Sequence, residues 1–268
     1  MYTKVIQYGD ILEVYKYSQP VFPRIAGYWD KTGYCSSAKM RFKRSKSSLR
    51  YIRSDYSKNR ALRSFVRLCH HNNLLAKTIH FLTLTYAYPQ TEVIQTRHHL
   101  SIFFRALSSA GYQFSYIGVP EWTEAGTIHF HFLVYGLPAN EEKREWDTRF
   151  IQRNWQRGYV DICRAPDVSP AIAFYMAKYM RKSFEVERPK GARDYGCSRN
   201  IAKVKSYGYN SGVEKLEVVN PLPGTYTKVD RATYNTEFLG QCFFSRYYFG
   251  QVFPFDQFLQ KTPLTLYF

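Results

Sequence analysis

The chain has 268 residues, enough for one large domain or a smaller one with extensions. Hydrophobic residues make up 45%, with 24 Tyr and 20 Phe, which excludes a disordered chain. Lys and Arg number 38 against 21 Asp and Glu, a formal charge of +17, so a polyanion is the expected partner, and the aromatic content suits unpaired bases better than lipid.

Five scattered cysteines, odd in number and without a CxxC pair, predict reduced thiols rather than a disulfide frame or a structural zinc site. No apolar run approaches a membrane span and the N-terminus lacks a signal-peptide core, so a cytoplasmic protein without a membrane partner is expected.

Residues 1–38 carry turn formers at Pro20, Pro23, Gly27 and Gly33 and read as short strands or an arm. Lys39 to Arg63 holds ten basic residues and one acid. Its Arg41, Lys43, Arg44, Lys46 and Arg50, interleaved with aromatics, are candidate phosphate contacts; a solvated basic face is the alternative. Helical spacing begins near Asn59. Cys69, His70 and His71 are adjacent, so their side chains diverge and make a poor metal set.

TIHFLTLTY, Thr78–Tyr86, reads as a central strand, and Thr91–Ser109 as a helix ended by Gly111. A strand over Tyr112–Val119, a turn EWTEAG and a strand over Thr127–Tyr135 form a hairpin. Side chains alternate along a strand, so His129 and His131 share a face while Ile128, Phe130 and Phe132 enter a core. Two imidazoles about 7 Å apart on one face can share an ion. Glu121 at the far end of the neighbouring strand would complete a three-ligand site, with Glu124 in the turn as second choice. Two ordinary histidines at a sheet surface fit the same pattern.

A helix over Ala139–Trp155, a strand over Gly158–Cys163 and a helix over Pro170–Lys182 follow. The expected fold is α+β: a β-α-β-β-α-β antiparallel sheet of ferredoxin-like topology, helices on one face and the other free for a ligand. Residues 1–75 read as a basic N-terminal extension, 76–200 as the core, and 201–268 as an aromatic-rich C-terminal extension. Gly191, Gly196 and Ser198 nearly spell a phosphate loop, but Cys197 stands where Lys is needed, which excludes an ATP site there.

In the last helix, AIAFYMAKYMRKS, Tyr175 and Tyr179 are four apart and share a face, with Lys178 on its flank. Ile172, Met176, Tyr179 and Met180 also fit a packing stripe. In the functional reading a phenol attacks a phosphate polarised by an ion on His129, His131 and Glu121, and Lys178 offsets the developing charge.

TIHFLTLTY, GVPEWTEAGTIHFHF and YMAKY resemble, in that order, the three motifs of HUH endonucleases. The Y-x-x-K-Y pair resembles the two-tyrosine replication initiators (Rep) of small single-stranded DNA phages and related rolling-circle plasmids. The resemblance covers roughly residues 76–200, including GCSRN. It implies His129 and His131 as ligands of Mg2+ or Mn2+, with Glu121 as the third. It implies Tyr175 and Tyr179 as nucleophiles, Lys178 as the assisting cation, and single-stranded DNA at a replication origin as substrate. A bacterial host is implied, with host helicase and polymerase as candidate partners. Two other functions remain open: a non-catalytic single-stranded nucleic-acid-binding module, and an HUH transposase or relaxase.

Overall fold

A computed structural model describes residues 2–19, 55–123, 127–137, 144–165, 170–186, 192–210, 226–236 and 240–251. The element order is β1 (Tyr2–Tyr8), β2 (Ile11–Tyr17), α1 (Asp55–Leu75), β3 (Ile79–Thr85), α2 (Val93–Ser109), β4 (Ser115–Trp122), β5 (Ile128–Tyr135), α3 (Arg144–Trp155), β6 (Val160–Arg164), α4 (Pro170–Glu185), β7 (Gly196–Cys197), β8 (Lys205–Asn210), β9 (Lys228–Thr236) and β10 (Gly240–Tyr248). The fold is α+β, with four helices and two antiparallel sheets ordered β6-β3-β5-β4-β7 and β8-β1-β2-β10-β9 among the described residues. No helix among the described residues is long and apolar enough to cross a membrane.

The first sheet is built from the expected β-α-β-β-α-β run, β3 to β6, with β7 added at the β4 edge. Alternation sorts its side chains. Leu82, Leu84, Ile128, Phe130, Phe132 and Val134 face α2 and α3, where Phe103, Phe104, Leu107, Ile151 and Trp155 cover them. A buried side chain of this size contributes about 1.5–3 kcal/mol. Gly118 makes room on this face, since a Cβ there would lie 2.1 Å from the Phe132 ring. Gly111 ends the α2 segment as expected, at φ +88, a conformation that favours glycine.

The opposite sheet face departs from expectation. It is covered by α1 and α4: Phe65 and Cys69 meet Ile117, Val119, Leu133 and Tyr135, and Ile172, Met176 and Met180 close the layer from α4. The physical reason is in β5 itself, where Leu133 and Tyr135 continue the face of His129 and His131 as apolar residues that require cover. Only the end carrying the histidines is left for polar side chains.

Boundaries shift in ways that matter. β4 runs from Ser115 to Trp122, three residues later than expected, so Glu121 lies inside the strand rather than at its end. α4 continues three residues past Lys182, to Glu185, which adds Ser183 to the helix. Of the helix expected over Ala139–Trp155, the part from Arg144 is described.

The second sheet joins chain ends. β1 and β2 form a hairpin, β8 pairs with β1, and β10 pairs with β2 and β9. Glu13, 1% exposed, ties this sheet to α1: it accepts hydrogen bonds from Tyr8 (2.7 Å), Tyr15 (2.8 Å) and Arg246 (2.9 Å), and from Arg67 of α1. His70 of α1 also bonds Asp10 in the β1–β2 turn, at 2.8 Å.

Candidate active site

Strand register sets the site. Pairing of β5 with β3 and β4 places Glu121, His129 and Thr85 in one cross-strand row and Val119, His131 and Thr83 in the next. Each histidine turns Nδ1 towards a β3 threonine: Thr83 Oγ1 lies 3.3 Å from His131, and Thr85 Oγ1 lies 3.5 Å from His129. His131 Nε2 is 2.6 Å from Glu121 Oε2, and Lys182 Nζ donates to Glu121 Oε1 at 3.0 Å.

The electrostatics follow from this contact set. Burial pushes the Glu121 carboxyl up, but the hydrogen bonds from Lys182 and His131 outweigh it and hold the carboxyl below its ordinary range. Burial pulls the His131 imidazole below its ordinary value despite Glu121, and His129 and Lys182 pull the same way. A neutral imidazole beside an ionised carboxylate is the protonation state that metal ligands require.

α4 brings the phenols. Tyr175 and Tyr179, one turn apart, hydrogen-bond through their hydroxyls at 2.6 Å. The Tyr179 ring stacks on His131 with centroids 3.7 Å apart, and Lys182 Nζ lies 5.8 Å from its centre. Tyr175 packs edge-on against Phe81 and remains 48% exposed. Burial, the bond to Tyr175 and the charge of Glu121 push the Tyr179 phenol well up. The packing stripe holds for Ile172, Met176 and Met180, which are buried, while Tyr179 stands at its edge over the imidazole.

Ser183 latches the helix to the sheet. Buried to 1%, it donates to the Pro120 carbonyl at 2.6 Å and accepts from the Trp122 amide at 3.2 Å. These two peptide groups flank Glu121, so one serine pins α4 at the carboxylate. Lys178 is exposed on the same helix.

The donor chemistry of His129, His131 and Glu121 suits a divalent ion: two imidazoles steadied by threonines and one ionised carboxylate. Among the described residues, no three His, Cys, Asp or Glu side chains stand together as a ready ligand set. Glu121 Oε2 is instead engaged by His131 Nε2. A tautomer change on His131 and a turn of the Glu121 carboxylate would free both donor atoms for a cation.

The structure thus brings His129, His131, Glu121, Tyr175 and Tyr179 to one end of the sheet. Arg41, Lys43, Arg44, Lys46, Arg50 and Glu124 lie outside the described residues. Sequence reading missed Lys182, Ser183, Thr83 and Thr85. Lys182 follows Tyr179 by three, a spacing that places it on the same flank of the helix. The threonines alternate in LTLT but signal nothing until their pairing partner is known.

A search of curated proteins finds no sequence match. Among solved structures, the chain is similar to the N-terminal nuclease domain of minute virus of mice non-structural protein 1, described with Zn2+ in its active-site pocket. Identity is 8%, the match covers 59% of this chain and 79% of that one, and the TM-score of 0.26 is too low to carry an argument. The stretch holding both histidines, Glu121 and both tyrosines, residues 79–184, matches the family model of the replication-associated protein ORF2.

Proposed function

We propose that the chain is a metal-assisted nickase and strand transferase for single-stranded origin DNA, acting through Tyr175 and Tyr179 to start rolling-circle replication. One observation carries this reading: the Tyr179 ring lies 3.7 Å from that of His131 while its hydroxyl bonds Tyr175. Two phenols are thereby held beside an imidazole–carboxylate pair at the open end of a sheet. The match of residues 79–184 to a replication-associated family supports the same conclusion.

A phenol oxygen attacks the scissile phosphorus, and the bond from phosphorus to the 3′ oxygen breaks. The 3′ oxygen takes a proton and leaves as a free 3′-hydroxyl, the phenol proton passes to solvent, and the 5′-phosphate stays on tyrosine. The second tyrosine can repeat the attack while the first holds its strand, so rejoining consumes no nucleotide triphosphate. His129, His131 and Glu121 would hold Mg2+ or Mn2+, which when bound polarises a non-bridging phosphate oxygen. Thr83 and Thr85 keep the imidazoles oriented, and Ser183 holds the phenols over them. Lys182 is positioned to offset charge at Tyr179, and the exposed Lys178 to meet a phosphate. Host helicase and polymerase would work from the 3′-hydroxyl, in a cytoplasm that keeps the thiols reduced.

The test is incubation with Mn2+ and labelled single strands tiled across the replicon that encodes the chain. A denaturation-resistant protein–DNA species is expected, abolished by a chelator and by Tyr175→Phe combined with Tyr179→Phe. His129→Ala should reduce it by about a hundredfold while strand binding persists. An adduct that survives in the double tyrosine variant removes both phenols from the chemistry. Binding without any adduct in the wild type leaves a non-catalytic module.

A further inference from the structure

The second sheet has a face that the nicking chemistry does not use. Cross-strand pairing sets Tyr2 opposite Tyr17, Lys4 opposite Tyr15, and Tyr15 opposite Phe244, all on one face. Their rings form a row: Tyr2 and Tyr17 stack with centroids 5.9 Å apart, Tyr15 and Tyr17 at 6.4 Å and 8° between planes, and Tyr15 and Phe244 at 4.9 Å. Lys4 and all four aromatic side chains are half-buried rather than sealed.

Arginines border this row. Arg60, Arg63 and Arg67 recur along one face of α1, and Arg67 donates to the Tyr15 hydroxyl at 2.7 Å. Arg246 lies 5.3 Å over the Phe244 ring. Glu13 is the carboxylate among them, and Tyr8, Tyr15, Arg67 and Arg246 already engage it. Among the described residues no carboxylate pairs with Lys4, Arg60 or Arg63. Burial and repulsion from Arg67 and Arg60 pull the Lys4 ammonium below its ordinary value, consistent with surplus positive charge here. Arg60 and Arg63 are also the end of the basic run that begins at Lys39.

We propose that this face, with the tyrosine row of β1, β2 and β10 and the arginines of α1, is a second binding track for single-stranded DNA, separate from the nicking site. Bases stack on Tyr2 and Tyr17, and phosphates meet Lys4, Arg60 and Arg63. Charge chooses a polyanion, and half-open aromatic rings choose unpaired bases over a duplex, whose base faces are covered. The proposal rests on the reading that the chain works on single strands. A replication initiator needs such a track to keep hold of the strand while the first site turns over.

The test is anisotropy of a fluorescein-labelled oligothymidylate of about twenty nucleotides, in chelator, across a salt series. Tyr17→Ala should weaken binding about tenfold and Tyr17→Phe should keep it, because stacking needs the ring and not the hydroxyl. Arg60→Ala with Arg63→Ala, two exposed helix positions of low folding cost, should reduce the salt slope by about 1.4. Wild-type affinity and slope in both variants would overturn the proposal, as would no binding of oligothymidylate by the wild type. A Tyr17→Ala penalty equally large on a duplex of the same length would also overturn it. Adduct formation in Mn2+ is followed separately, so its failure in the wild type sinks the nicking reading and leaves the binding result intact.

Discussion

Replacing Lys182 with Met keeps the aliphatic stem and removes the cation. In the structure that cation donates to Glu121 at 3.0 Å and lies 5.8 Å from the Tyr179 ring centre. Coulomb's law at that separation gives about 0.7 kcal/mol at a water-like dielectric and about 3 kcal/mol at an effective dielectric near 20. The side chain is 51% exposed, so solvent takes much of the upper value. About 1.4 kcal/mol, or a tenfold slower attack by Tyr179, is the expected loss. Folding should change little, because half-exposed pairs contribute about 0–1 kcal/mol. The assay is single-turnover adduct formation at saturating strand in Mn2+, using Tyr175→Phe as background so that Tyr179 is the attacking group. Thermal melting is run in parallel, with Lys178→Met as the comparison. A wild-type rate in Lys182→Met would refute the assignment, as would a loss matched by an equal collapse in melting temperature.

Ser183→Ala should cost about 1–3 kcal/mol of stability by leaving the Pro120 carbonyl and Trp122 amide without their partner, and should lower adduct yield by loosening α4 at Glu121; melting and adduct assays on one preparation check both. Gly118→Ala should destabilise by about 1–3 kcal/mol, since its Cβ would meet the Phe132 ring; an unchanged melting temperature would mean that the ring moves aside freely. Glu13 has a definite pH sign. Burial pushes its carboxyl up, but Arg67 and the hydrogen bonds from Tyr8 and Tyr15 outweigh that and lower it. A lowered folded value means that its stabilisation is present above the unfolded value near pH 4.3 and is lost as pH falls through the folded value. Glu13→Gln should flatten the acid limb of the stability curve below about pH 4.3 and cost roughly 3 kcal/mol at neutral pH. Denaturant melts at a series of pH values check this, and an unaltered acid limb would contradict it.

What could be read in advance was local. Strand alternation alone puts His129 and His131 on one face, and helical spacing alone stacks Tyr175 with Tyr179; both hold in the structure. The β-α-β-β-α-β order also survived, because each element carries its own periodicity. The covered second face was partly legible too: Leu133 and Tyr135 follow the histidines on the same side, and an apolar residue there asks for a partner.

The rest depends on distance through the chain. Thr83 becomes an imidazole support only once β3 pairs with β5, 48 residues away, and Ser183 becomes a latch only against the Pro120 carbonyl, 63 residues away. Glu13 meets Arg246 across 233 residues, so no window of sequence could join the chain ends into one sheet. Amino-acid order determined which side chains share a strand face or a helix turn, since those periods are properties of the backbone. Tertiary packing decided which faces meet, since that choice belongs to the burial of the whole core rather than to any segment.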